Sequence, residues 1–189
     1  SATASITVDS LPPLIDSLPS NAGAAGEVFE GREATVRASF HDAAIADMHT
    51  ATIDWGDGVV DSARILETNG VGPAAGSHAY ASGGVYAIRM VLRDDDGGEA
   101  VAVTTAYITG VGLHERDGHL VLQVVGTNGV DRVTVNRQNA TAIKVHASFL
   151  PDRGSVRTLS AAGVELLHVI LRDGDDLASE AVKAKIKTI

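Results

Sequence analysis

The chain has 189 residues, with 24 acidic against 15 basic side chains and a net charge of −9. Its 44% apolar and 21% charged content suits one or two packed domains rather than disorder. The lack of cysteine excludes disulfides, thiol chemistry and a cysteine zinc site, and the acidic balance argues against a nucleic-acid partner.

No apolar run reaches the ~18 residues a membrane span needs, so membrane insertion is not expected. No charged-then-apolar leader opens the chain, so a secretion signal is expected outside it. Alternating apolar and polar residues recur, and no helical period is sustained over three turns. The expected fold class is therefore all-β.

Residues 1–26 read as a terminal strand of a preceding repeat, or a first strand, followed by a linker. Ala4 to Val8 alternates, and Pro12-Pro13 ends regular pairing. Residues 14–26 read as a connector rich in Ser, Asn, Gly and Ala. Thr3 to Thr7 echoes Thr105 to Thr109, which suggests a piece of a longer array.

Residues 27–110 read as one β domain. Strands are expected at 34–40, 50–55, 59–66, 85–93 and 100–108. Gly56-Asp57-Gly58, Gly83-Gly84 and Asp94-Asp95-Asp96-Gly97-Gly98 mark turns. In the strand from Val85, Tyr86, Ile88, Met90 and Leu92 share one face. Trp55, the only tryptophan, stands at a strand end and is expected in the core, near Tyr80 and Tyr86. Short strands at this spacing suggest a β-sandwich.

Several blocks in this stretch carry a resemblance. Val28-Phe29-Glu30-Gly31 comes first. Phe40-His41-Asp42 and Asp47-x-His49 through Asp57-Gly58 follow, then His78-x-Tyr80, Gly84-Val85-Tyr86 and Val91 through Gly98. In that order they resemble a PKD-type (polycystic-kidney-disease) domain. The resemblance implies an immunoglobulin-like β-sandwich in a secreted or surface protein, used for binding or spacing rather than catalysis. At Ala43-Ala44-Ile45 the sequence departs from the Pro-Gly often found in members.

Three consecutive acids at Asp94, Asp95 and Asp96 repel one another. Such a run is either a solvated turn or a shell for a hard cation, since calcium takes 6–8 oxygen ligands. Carried over from the resemblance, the calcium candidates are Asp42, Asp47, Asp94 and Asp96. The seven histidines show no zinc spacing and read as surface or packed residues.

Residues 1–109 hold 15 acids and 5 bases, whereas 110–189 hold 9 and 10. This change places a boundary at Gly110-Val111-Gly112, with 110–118 as a short linker. Residues 111–189 read as a second β-rich module, with strands at 118–126, 132–136, 142–147, 164–171 and 182–189. Gly126-x-x-Gly129-x-Asp131 and Asp173-Gly174-Asp175-Asp176 share a turn spacing. They resemble, in degenerate form, the haemolysin-type (RTX-like) calcium-binding repeats of a β-roll. The resemblance implies a β-roll or β-helix-like fragment that stops mid-rung. It makes Asp131, Asp173, Asp175 and Asp176 further calcium candidates. The alternating lysines of the tail would suit a partner strand.

No nucleophile elbow, Walker loop or dinucleotide fingerprint is present. The expectation is a non-enzymatic extracellular or cell-surface module pair acting in adhesion, spacing or matrix structure, with calcium as its cofactor. Its partners would be neighbouring repeats of the parent chain and an extracellular polymer or protein. The alternative is an accessory polymer-binding region of a secreted protease or glycanase.

Overall fold

A computed structural model of the chain describes residues 11–151, 155–181 and 187–188. All regular structure among them is β, and the chain divides into two compact units. The first holds residues up to Ser20, Thr35–Ser77 and Ala87–Thr104. The second holds Asn21–Ala34, His78–Tyr86 and Thr105–Ile189.

The first unit is a sandwich of two sheets. Strand β1 (Leu14–Ser17) pairs antiparallel with β3 (Glu33–His41), and β2 (Val28–Phe29) lies between them in sequence. Strand β4 (Thr50–Asp54) pairs with β5 (Val60–Ser62), and β6 (Arg64–Ile65) with β7 (Val71–Ala79). One sheet runs β1-β3-β7-β6. In the other, β8 (Gly84–Arg93) lies between β4 and β9 (Glu99–Arg116).

Burial follows the sequence period. Ala34, Val36, Ala38 and Phe40 of β3 point inward while the residues between them are exposed. Ile88, Met90 and Leu92 are sealed at 0% exposure, as the alternation of β8 requires. Trp55 is also 0% exposed, and its indole Nε1 donates to Asp61 Oδ2 at 2.9 Å. The buried indole therefore keeps its hydrogen bond. A Cβ on Gly76 of β7 would lie 2.5 Å from Ile53 Cδ1 and 3.4 Å from the Trp55 ring, so glycine lets the facing sheet close over them.

Two expectations change here. Residues 14–17, read as connector, form a strand, because β3 offers Leu14 and Ile15 partners at His41 and Phe40. The return strand expected at 59–66 is split. Its first half pairs β4 and its second half pairs β7, so the chain switches sheets at Ala63.

In the second unit, β2 pairs parallel to β9 through Val28–Ile108 and Phe29–Thr109. β9 continues without a break to Arg116, so the linker expected at 110–118 is strand and turn. Asp117 and Gly118, at φ of 51° and 78°, reverse the chain into β10 (His119–Val125). β11 (Arg132–Arg137), β12 (Ala142–Ala147) and β13 (Val156–Ser160) form an antiparallel meander. β14 (Val164–Ile170) then returns parallel to β10, β15 (Leu177–Ala181) parallel to β11, and β16 (Lys187–Thr188) parallel to β14. The core between these sheets is aliphatic, with Leu122, Val124, Val135, Ile143, Val145 and Leu167 at its centre. The rest of the strand expected at 182–189 lies outside the described residues.

The two parallel pairings share one register. Leu122 faces Leu167 and Arg132 faces Leu177, each 45 residues on. The turn at 127–131 and the turn at 172–176 connect the paired strands at the same offset. Asp131 N donates to Asp176 Oδ1 at 2.8 Å, and Leu177 N to Asp131 O at 2.9 Å. The two turns therefore link strand pairs that run parallel at a common 45-residue offset.

Candidate functional site

The site lies in the first unit, where the loop after β3 meets the loop after β8. Asp42 follows the last residue of β3, and its N–H donates to Gly70 O at 2.7 Å. Its Oδ1 accepts from Ala44 N at 2.8 Å, the turn that a short acidic side chain forms with its own backbone. Asp94 follows β8 and organises the second loop. Its Oδ1 accepts from Asp96 N at 3.1 Å and Gly98 N at 2.6 Å, and Gly97 takes a φ of 96°. Asp95 joins the loops by accepting from Met48 N at 3.0 Å.

These loops bring Asp42, Asp47 and Asp94 together, with one carboxylate oxygen from each lying within 4.8 Å of the others. Two oxygens that both contact one calcium at about 2.4 Å can be at most about 4.8 Å apart, so the three fit a common ion. Asp42 and Asp94 are buried, at 5% and 7% exposure. Asp94 Oδ2 is buried with no hydrogen-bond donor. A buried carboxylate oxygen without a partner is costly, and a hard cation satisfies it.

His49 supports the site from behind. Its Nε2 lies 3.0 Å from Asp42 Oδ2 and its Nδ1 2.7 Å from Glu67 Oε2, with the imidazole side chain fully buried. Both ring nitrogens face carboxylate oxygens, an arrangement that the protonated ring satisfies by donating from both. Burial alone lowers its pKa. The hydrogen bonds and charges of Asp42 and Glu67 outweigh that and raise it above the ordinary value. The ring also packs against Phe40, at 5.0 Å between centroids. His49 and Glu67 were not singled out as site residues in the sequence. The signal was there in part, since His49 lies two residues past Asp47 in the quoted block.

Of the four candidates from the first domain, three converge. Asp96 does not, because it lies in the turn itself and is exposed, and its backbone N–H is what reaches Asp94. Asp131, Asp173, Asp175 and Asp176 stand in no acidic triad among the described residues. Asp131 is buried at 1% exposure, and its carboxylate accepts from Thr127 N at 2.7 Å, Thr127 Oγ1 at 3.0 Å and Ser148 Oγ at 3.4 Å. Asp176 Oδ1 accepts from Asp131 N in the preceding turn, and Asp173 and Asp175 are exposed.

No curated protein matches the chain. Three solved structures are similar to it at low identity. The PKD domain of an M14-like peptidase from Thermoplasmatales archaeon SCGC AB-540-F20 is 20% identical, covering 53% of this chain and 98% of that one, with a TM-score of 0.41. The PKD1 domain of Vibrio anguillarum Epp is 18% identical over 54% of this chain and 99% of its own, with a TM-score of 0.38. The PKD1 domain of the Vibrio cholerae metalloprotease PrtV is 17% identical over 52% and 98%, with a TM-score of 0.37. The family model described as PKD domain matches residues 18–109, and the haemolysin-type resemblance expected for the residues beyond them is not shown. The match spans the sandwich strands and the Asp42, Asp47 and Asp94 loops, and residues 18–109 of this chain are a PKD domain.

Proposed function

We propose that this chain is a non-enzymatic module of an extracellular or cell-surface protein, that it serves adhesion, spacing or matrix structure, and that calcium stiffens it at Asp42, Asp47 and Asp94. PKD domains are non-catalytic modules typical of secreted and extracellular proteins. The observation that carries the calcium reading is Asp94 Oδ2, buried without a donor in an acidic triad of the right size for one ion. An ion there would clamp the loop after β3 to the loop after β8 and lock one end of the sandwich. The neighbouring partners remain other modules of the parent chain and an extracellular polymer or protein.

The second reading, an accessory polymer-binding region of a secreted hydrolase, needs an exposed platform. A groove of about 410 Å³ lies on the β1-β3-β7 sheet, lined in part by Asp16, Arg37, Ser39 and Val71. Polymer-binding faces gain most from exposed aromatic rings. Phe40, which also lines this groove, is only 1% exposed. No aromatic stands among the exposed large apolar side chains of the described residues. This favours the spacer reading.

The test is a thermal melt in excess EDTA, in millimolar calcium and in millimolar magnesium. Calcium at one hundred times its dissociation constant adds about 2.7 kcal/mol. A rise of several degrees specific to calcium supports the proposal, and identical melts overturn it. Retention on insoluble polysaccharide or collagen would favour the second reading.

A further inference from the structure

Within the second unit, parts of the PKD stretch are held by side chains from beyond residue 110. Glu30 is central. Its side chain is 11% exposed, and its Oε2 accepts from Gly83 N at 2.8 Å and Val111 N at 3.3 Å. Its Oε1 pairs with Arg157 Nη1 at 2.5 Å. The loop from Ser82 to Val85 is gripped on both sides. Gln123, wholly buried, accepts from Val85 N at 2.8 Å through its Oε1. His114 Nε2 donates to Gly83 O at 2.9 Å, and Arg116 donates to Val85 O at 3.2 Å.

The segment before β2 is held in the same way. Arg172 Nη2 donates to Gly23 O at 3.1 Å and Ala24 O at 2.5 Å, with its guanidinium 5.8 Å from the Tyr107 ring centroid. Asn128 N donates to Glu27 Oε2 at 2.7 Å. Gly83 and Gly110 meet backbone to backbone, and a Cβ on Gly83 would lie 2.0 Å from the Gly110 carbonyl carbon. These contacts come from five separate places beyond 110: the end of β9, β10, the turn at 127–131, β13 and the turn at 172–176.

We propose that residues 111–151 and 155–172 are an intramolecular partner the PKD stretch requires, docked on the surface made by Gly23–Arg32 and Ser82–Val85, and that the chain unfolds across residue 110 as one cooperative unit. The partner's chemistry fits the surface. It supplies three arginines, the Gln123 amide and the His114 imidazole to a largely buried carboxylate and to backbone groups of the surface. Removing one side of a buried ion pair leaves the other charge uncompensated, so Arg157 carries much of the coupling.

The test uses the full chain. Trp55 fluorescence reports on the sandwich. A dye on a single cysteine placed by His146→Cys, an exposed β12 position in a chain without cysteine, reports on the C-terminal region. The two probes should give coincident urea transitions. Arg157→Met should lower both thermal midpoints together by about 10 °C. Two separated transitions, or a dye midpoint that falls while the Trp55 midpoint stays, would overturn the proposal. If Arg157→Met does not fold, Arg157→Lys, which keeps the charge but not the guanidinium fork, is read in the same way.

Discussion

His49 and Asp42 meet at 3.0 Å, fully buried, seven residues apart on either side of the loop that departs from the common PKD pattern. The imidazole bridges two carboxylates, Asp42 and Glu67, which raise its pKa and favour its charged form, and it fixes where Asp42 can present its oxygens. Replacing it leaves both acids without their cation. We expect His49→Leu to cost about 3–5 kcal/mol in urea unfolding followed by Trp55 fluorescence. A cost under about 1 kcal/mol would mean that the pair is solvated rather than buried.

Asp131 is a buried cap of the turn at 127–131. Both its oxygens already accept from Thr127, and Ser148 adds a third donor. Asp131→Ala should destabilise the chain by about 2–4 kcal/mol, since it removes charge-assisted bonds and strands buried donors. The loss should be the same in EDTA and in calcium. A loss seen only in calcium would restore the haemolysin-like reading of this turn.

His114 gives the chain a pH dependence of known sign. Burial lowers its pKa, the neighbouring Arg116 lowers it further, and the Gly83 carbonyl opposes them only in part. The folded state therefore binds this proton less readily than the unfolded chain does. Stability from this group is intact above the unfolded value near 6.5 and falls as pH drops below it. His168 shifts the same way, through burial and Arg116. His49 shifts the other way, so the comparison is between wild type and His114→Gln, which share it. Between pH 7.5 and 5.5 the wild type should lose more stability than the variant. Equal losses would contradict the assignment.

Gly83→Ala tests the close approach that ties the 82–85 loop to β9. The added methyl would meet the Gly110 carbonyl carbon at 2.0 Å and its Cα at 2.3 Å, and backbone on both sides leaves little room to relax. We expect a loss of about 3 kcal/mol or more by urea denaturation. Gly58→Ala, in a turn with nothing within 4 Å of the added atom, should cost less despite its φ of 93°.

The sandwich was readable because its strands alternate and its turns are marked. Tyr86 to Leu92 shows its buried face in the sequence, and Asp57-Gly58 and Gly97-Gly98 show the reversals. The acidic triad was readable only through the order of the motif blocks, because no local spacing joins Asp42 to Asp94. His49 and Glu67 were missed, since a buried imidazolium depends on two carboxylates distant in sequence from one another. The continuity of β9 was hidden by Gly110 and Gly112, which look like a hinge. Here they allow close backbone approach, and Gly110 takes a φ of 149°. The strand at Leu177 was missed because Leu177-Ala178-Ser179-Glu180 has little β propensity. It is fixed by pairing with β11.

The proposed calcium ion would be held by Asp42, Asp47 and Asp94. Its most direct test is titration calorimetry of calcium into chelator-stripped protein, for wild type and for Asp94→Asn. The variant keeps the oxygen that accepts from Asp96 and Gly98 and removes the charge at the buried, donor-free oxygen. We expect one calcium bound per chain in the wild type, at least tenfold weaker binding in Asp94→Asn, and little change in the variant's melt in EDTA. No heat of binding in the wild type, or equal affinity in the two proteins, would contradict it.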